Sequence, residues 1–127
     1  MPPIRYRYHP VQPPAPFVNV TLLHPTGTPE RRDVPAQVDS GADRTVLPED
    51  LARALGLPQV GQITIGGLGG ILHTLPLVSV LLGVHDLPAQ LIEVVTNTGE
   101  PWILLGRDVL NSHRILLDGP QLALEIG

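Results

Sequence analysis

The sequence of 127 residues contains no cysteine and no lysine. Without cysteine, disulfides, thiolate metal sites and a thiol nucleophile are excluded. Without lysine, all eight basic residues are arginine, and 12 acidic residues bring the formal net charge to −4. No run of arginines is large enough to follow a phosphate backbone, so we expect no nucleic acid partner.

Aromatic residues and long apolar runs are also scarce. One Phe, one Trp and two Tyr accompany a hydrophobic fraction of 43%, which favours a core of aliphatic strands. The longest apolar stretch, residues 75–84, is too short to cross a bilayer. The N-terminus lacks the apolar core of a secretion signal. We therefore expect a soluble, cytoplasmic protein without a membrane segment.

Proline is abundant, and its distribution divides the chain. The length fits one domain. Six of the 15 prolines fall within the first sixteen residues, a density that disfavours helices and central strands. We expect residues 1–16 to form a proline-rich N-terminal arm and residues 17–127 to form the domain.

Short patterned segments predict a β fold. Proline and acids before good helix formers, with glycine after them, predict a helix at residues 48–56. Two strand-like runs within residues 62–84 flank Gly66-Gly67-Leu68-Gly69-Gly70 and predict a hairpin with a mobile tip. Many short strands with one or two short helices predict an all-β, closed barrel. Further strands are predicted at residues 17–23, 34–38, 89–96, 102–105, 115–117 and 122–126, and a short helical segment at 109–112.

A carboxylate, a hydroxyl and a glycine follow one another at Asp39, Ser40 and Gly41. The carboxylate can hold and deprotonate a water, the hydroxyl can fix the loop, and the glycine permits close approach of another chain. The triplet alone is weak evidence, since it arises by chance in about one chain in twenty of this length. By itself it would be interpreted as an Asx-type turn.

Three segments together resemble the retropepsins, the family of retroviral proteases and their cellular and bacterial relatives. Their order and approximate separations also match, and the resemblance covers residues 18–126. It implies a barrel of the retroviral aspartic protease type with a flap hairpin, and aspartic endopeptidase activity on extended peptides. The segments are Val38-Asp39-Ser40-Gly41-Ala42-Asp43, Ile65-Gly66-Gly67-Leu68-Gly69-Gly70-Ile71 and Ile103-Leu104-Leu105-Gly106-Arg107-Asp108-Val109-Leu110.

By this resemblance Asp39 is the catalytic aspartate, Ser40 links the active-site loops of two subunits, and Gly41 is the close-approach glycine. Asp43 and Arg107 form a structural pair that supports the loop, and Asp43 also reaches the substrate main chain. Trp102 is bulky for a pocket position, so plain core is an equal interpretation. The other residues at positions similar to substrate-binding ones are Ala42, Gly66, Gly67, Leu68, Gly69 and Leu104.

The sequence contains one such triplet, whereas the chemistry of these enzymes uses two carboxyl groups beside one water. Asp118-Gly119 lacks the hydroxyl residue and precedes a proline, as in an ordinary turn. A homodimer is therefore expected to supply the second Asp39. In the family, terminal strands often join the dimer sheet, and residues 122–126 are suited to that role.

The five histidines show no metal-ligand spacing, so we expect neither a metal nor a cofactor. They are His9, His24, His73, His85 and His113. Two other functions stay open. One is a catalytically inactive dimeric domain of the same fold that binds peptides or mediates interactions. The other is a β-barrel that binds a small ligand under the glycine hairpin.

Overall fold

The computed structural model describes residues 2–127, apart from the side chain of Leu68. Strands predominate, with two short helices, α1 (Glu49–Ala54) and α2 (Arg107–Leu110), and a 3₁₀ turn at Leu68–Gly70. The strands are β1 (Ile4–Arg7), β2 (Phe17–Leu23), β3 (Glu30–Val38), β4 (Val46–Pro48), β5 (Gln59–Gly66), β6 (Leu72–Val84), β7 (Gln90–Asn97), β8 (Ile103–Leu105), β9 (Ile115–Asp118) and β10 (Ala123–Ile126).

Six strands close into a barrel in the order β2-β3-β8-β4-β7-β6, because β6 pairs with both β7 and β2. Strand β5 extends β6 as the second arm of a hairpin. Most neighbours are antiparallel, but β3 runs parallel to β8 and β4 runs parallel to β7. The predicted all-β closed barrel with short helices is confirmed.

The barrel interior is filled with aliphatic side chains, as the composition predicts. Along β2, alternate residues point inward, which is the period expected of a strand with one buried face. Burial of these side chains is the main force that holds the barrel closed. The most deeply buried residues include Val18, Val20, Leu22, Ala36, Leu47, Val80, Val94, Ile103 and Leu105.

Helix α1 covers one end of this core. Glu49 and Asp50 lie in its first turn, where negative charge is favourable, and Glu49 accepts a hydrogen bond from Arg53 at 2.6 Å. The helix ends before Gly56, whose φ of +63° favours glycine. Ala52 and Leu55 are buried, so the helix is held by packing as well as by its local charges.

A second, three-stranded sheet has the order β1-β10-β9. Its inner face includes Tyr6, Leu124 and Ile126 and packs on the barrel core. Because β10 is paired on both edges, it has no free edge to extend a sheet into another chain. An intersubunit sheet built by edge pairing here would have to start from β1 or β9, not from residues 122–126 as predicted.

No helix within residues 2–127 has both the length and the apolar character needed to cross a membrane.

Candidate active site

Asp39 follows directly after β3, at the point where the pairing of β3 with β8 ends. Its backbone N–H donates to the carbonyl of Leu105 at 3.0 Å, which continues the parallel pairing by one residue. Its carboxylate Oδ1 accepts a hydrogen bond from the Gly41 N–H at 3.1 Å. The residue is half-buried, so the carboxylate is held in place yet can be reached from outside.

Gly41 leaves little room beside this carboxylate. A Cβ on Gly41 would lie 3.3 Å from Asp39 Oδ1, a distance tighter than most real contacts of a Cβ. Any side chain at this position would therefore crowd the oxygen that the Gly41 N–H holds.

Arg107, at the start of α2, holds the loop after Asp39 through three of its residues. Its Nη1 donates to the carbonyl of Ser40 at 2.7 Å, and its Nη2 donates to the carboxylate of Asp43. Its backbone N–H donates to the carbonyl of Ala42 at 2.9 Å. The planar guanidinium makes the two side-chain bonds from different nitrogens at once, a geometry that the single ammonium of a lysine does not offer.

A second set of bonds lies deeper, around the buried side chain of Thr45. The Thr45 N–H donates to Asp108 Oδ2 at 2.9 Å, and its hydroxyl donates to Asp108 Oδ1 at 2.8 Å. The same hydroxyl oxygen accepts from the Gly106 N–H at 3.1 Å. Within residues 2–127 no buried side-chain polar atom lacks a partner, so this network is satisfied.

The loop forms one wall of a cavity of about 360 Å³. Gly41, Ala42, Asp43 and Arg44 contribute this wall, and the opposite wall comes from strands of the barrel and of the glycine hairpin, which we define as β5, the 3₁₀ turn and β6. The residues of that opposite wall are Val46, Ile63, Ile65 and Val95. Such a mostly apolar cavity with a few polar groups is the usual form of a ligand site.

The predicted glycine positions lie just beyond this cavity, at the tip of the glycine hairpin. Gly66 ends β5, the Gly67 N–H donates to the carbonyl of Ile71 at 2.8 Å, and Gly69 has a φ of +79°. Ile63 and Ile65 of the hairpin, which were not among the predicted site residues, line the cavity instead. The side chain of Leu68, predicted to contact substrate, lies outside the described residues.

Trp102 does not line the cavity formed by the loop after Asp39. Trp102 packs edge-on against Phe17, with ring centroids 5.2 Å apart, and its Nε1 donates to the Gln37 side chain at 2.8 Å. It lines a different cavity, of about 340 Å³. Leu104, the other residue predicted from this segment, is half-buried and stands opposite Val46 in the sheet.

The arrangement joins a reachable carboxylate to a rigid loop and an apolar cavity. A carboxylate held in this way can accept a proton from water. The bonds of Thr45 to Asp108 were not predicted from the sequence, and neither were the cavity residues Arg44, Val46, Ile63, Ile65 and Val95. Ile63 and Ile65 carried a usable signal, since they alternate along β5 and so share one face. Within residues 2–127 no cluster of three or more histidine or acidic side chains could hold a metal ion.

A family model described as aspartyl protease matches residues 26–109, which is more than half of the chain. This stretch contains Asp39, the glycine hairpin and Arg107. A search of curated proteins finds no significant match.

Among solved structures, a retropepsin-like aspartic protease from Rickettsia conorii superposes with a TM-score of 0.65 and 14% identity, covering 98% of this chain and 88% of that one. The EIAV protease in complex with the inhibitor HBY-793 gives a TM-score of 0.51 and 22% identity, covering 77% and 86%. The foamy viral protease-reverse transcriptase gives 0.52 and 16%, covering 78% and 16%. At these identities the likeness is one of fold.

Proposed function

This chain belongs to the aspartyl protease family, and from that membership we propose that it is an aspartic endopeptidase that acts as a homodimer. Asp39 of each copy would supply one carboxyl group of a shared active site. The observation that carries the proposal is the position of Asp39, on a loop that hydrogen bonds from Arg107 hold in place beside an apolar cavity.

The proposed reaction is the addition of water to a peptide carbonyl. Two carboxyl groups close together retain one proton between them, because both cannot be ionised at such short range. One of them takes a proton from water, and the other donates its proton to the carbonyl oxygen. The C–N bond of the resulting tetrahedral diol then breaks as the first carboxyl group donates the proton it took from water to the nitrogen, while a diol hydroxyl returns a proton to the second carboxylate. Because water is the nucleophile, no covalent enzyme intermediate forms.

Two copies are needed because each chain carries one Asp-Ser-Gly triplet. A two-fold axis beside Asp39 brings the same loop of both chains together. Ser40 is exposed and Gly41 has no side chain, so both suit a close contact between the loops. In this assembly the Ser40 hydroxyl would bond across the axis, while its own carbonyl stays bound to Arg107.

The glycine hairpin would act as the flap of this enzyme. Its tip is built of glycines, two of which have positive φ, and it carries exposed apolar residues beside them, including Ile71 and Leu72. Closure of such a tip over an extended peptide would exclude water from the two carboxyl groups. Gly66, Gly67 and Gly69 would then approach the peptide main chain closely.

The first test is cleavage of a peptide library by wild type and by Asp39→Asn at mildly acidic to neutral pH. The amide cannot take the proton from water, so the variant should lose activity by a factor of about 10³ or more. Asp33→Asn changes the same functional group on an exposed part of β3 and serves as the matched control. Equal cleavage by wild type and Asp39→Asn would overturn the proposal.

Mixing the two proteins tests the shared site. If each active site needs two intact chains, activity falls with the square of the wild-type fraction when subunits exchange freely with Asp39→Asn. If one chain suffices, activity falls linearly. Mixing with the Asp33→Asn control should leave the activity per total protein unchanged, which excludes an effect of dilution.

A further inference from the structure

The cavity beside Asp39 contains one basic side chain. Five of its wall residues are aliphatic: Ala42, Val46, Ile63, Ile65 and Val95. Apart from the loop glycine, the remaining wall residues are the neighbouring pair Asp43 and Arg44, and they differ in how their charges are neutralised.

The charge of Asp43 is already matched, because its carboxylate is paired with the guanidinium of Arg107. Arg44 has no such partner. Within residues 2–127 it forms no ion pair with a carboxylate, and its one side-chain hydrogen bond goes from Nη1 to the backbone carbonyl of Glu93 at 3.3 Å. Arg44 is half-buried as a residue and lines the cavity.

Glu93 is the acidic residue whose backbone carbonyl accepts the hydrogen bond from the Arg44 guanidinium. Its carboxylate, however, is exposed and is not at ion-pair distance from Arg44. A guanidinium has five N–H donors in a planar fork that matches a carboxylate. Most of this capacity stays available to a ligand in the cavity.

From this arrangement we infer that Arg44 selects substrates with an acidic side chain, glutamate above all, in the subsite formed by this cavity. The inference rests on the proposed function and adds a substrate class to it. The two methylenes of glutamate would lie against the aliphatic wall while the carboxylate reaches the guanidinium. Aspartate is one methylene shorter, so it gains less from that wall.

Two-fold symmetry doubles the subsite. Each chain of the homodimer contributes one Arg44, and the two copies lie on opposite sides of the shared carboxyl pair. A peptide bound across the axis therefore meets one subsite before and one after its scissile bond. The preferred substrates carry glutamate at one position on each side, at equal distances from the bond that is cut.

The test starts from a peptide that wild type cleaves. Each residue near the scissile bond is replaced in turn by Glu, Gln or Lys, and kcat/KM is measured for each peptide. At one position on each side, Glu should exceed Gln by about tenfold, as expected for a charge-assisted hydrogen bond. The preference should weaken as salt is raised and as the pH falls toward the ordinary pKa of a peptide glutamate, about 4.3.

Variants assign the preference to Arg44. Arg44→Met keeps an unbranched apolar stem, removes the guanidinium, and should make Glu and Gln peptides equal substrates. Arg44→Glu should favour Lys over Glu at the same position. Arg31→Glu makes the same charge change at an exposed position of β3 and should keep the preference of wild type. A Glu to Gln ratio near one at every position in wild type, or an unchanged ratio in Arg44→Met, overturns the inference.

A binding measurement separates this inference from the proposed function. Calorimetry with Asp39→Asn should show the Glu peptide binding about tenfold more tightly than the Gln peptide, and the difference should vanish in Asp39→Asn/Arg44→Met. Such selective binding, together with no cleavage of any peptide by wild type, would support the role of Arg44 and overturn the proposed catalysis. Cleavage without selectivity would do the reverse.

Discussion

Asp108 accepts two hydrogen bonds from Thr45, one from its backbone N–H and one from its hydroxyl. Asp108 lies in the first turn of α2, whereas Thr45 lies just before β4 on the loop that begins at Asp39. The two bonds therefore tie the candidate catalytic loop to the helix beneath it. Since Thr45 is fully buried, water cannot replace either bond.

Replacing Thr45 by Val keeps the shape of the side chain and removes its hydroxyl. The Gly106 N–H and one oxygen of Asp108 would then lose their partner inside the protein. We expect the free energy of unfolding to fall by about 1–3 kcal/mol, measured by urea denaturation at fixed protein concentration. Thr98→Val, at an exposed turn, should stay within about 0.5 kcal/mol of wild type. A Thr45→Val variant as stable as wild type would contradict this account of the network.

Position 106 has no room for a side chain, because the backbone of Arg44 lies too close. Gly106 has an ordinary extended backbone, with φ −88° and ψ −179°, but a Cβ would lie 2.5 Å from the carbonyl carbon of Arg44. Gly106→Ala must push α2 away from the loop, so we expect a loss of about 1–3 kcal/mol of stability and a lower kcat/KM. Gly99→Ala, where a Cβ meets no atom within 4 Å, is the matched control. Equal stability of both variants would show that the contact yields without cost.

Arg107→Lys keeps the positive charge and removes the planar guanidinium with its forked N–H donors. Its side chain is 43% exposed and that of Asp43 is 86% exposed, so the ion pair itself should contribute at most about 1 kcal/mol to stability. Loop placement should suffer more, because one ammonium cannot reach both Ser40 and Asp43. We expect kcat/KM to fall by about tenfold or more, with little change in the melting temperature. A large loss of stability with kcat/KM unchanged would show that Arg107 acts only in folding.

Much of the barrel could be predicted from the sequence, because apolar and polar residues alternate along its strands or because the strands end at glycine and proline. The prediction of β2 is confirmed over its full length, and those of α1 and the glycine hairpin within a few residues. Strand β4 was missed because three residues are too few to show a period. Strand β1 was not predicted, because it lies among prolines and its extended conformation depends on pairing with β10.

The candidate site was less predictable, since its bonds join distant parts of the chain. Asp39 and Gly41 are neighbours, and the motif shows them together. The pairing of Arg107 with Asp43 spans 64 residues and came from the family resemblance alone. Which cavity a residue such as Trp102 lines depends on how distant segments of the chain pack together, which a single sequence does not specify. The proposed role of Arg44 could not be predicted from the sequence either, because it depends on the aliphatic residues that line the cavity with it.

Tyr6 anchors β1 to the turn between β6 and β7. Its hydroxyl forms a hydrogen bond with His85 Nδ1 at 2.9 Å. Burial is the main cause that raises the pKa of the Tyr6 phenol. A hydrogen bond with the backbone of Asn19 opposes this shift, while the negative charges of Asp33 and Asp86 add to it. The folded protein therefore holds the phenol proton at a pH where an unfolded chain releases it.

This raised pKa predicts how stability depends on pH. Between the ordinary phenol pKa, about 10, and the higher value in the folded state, the folded protein binds more protons, so the free energy of unfolding falls as pH rises. Tyr6→Phe has no phenol proton to release, so its free energy of unfolding does not fall for this reason. Near neutral pH the variant should be less stable by about 1 kcal/mol, because the bond to His85 is gone. Above about pH 10 the gap should narrow.

Urea denaturation of both proteins at a series of pH values, from about 8 to about 11, measures this gap directly. The difference in tyrosinate absorbance between wild type and Tyr6→Phe gives the titration of Tyr6 independently. A gap that stays constant over this range would contradict a raised pKa, because only the proton held by the folded phenol can make the two stabilities converge.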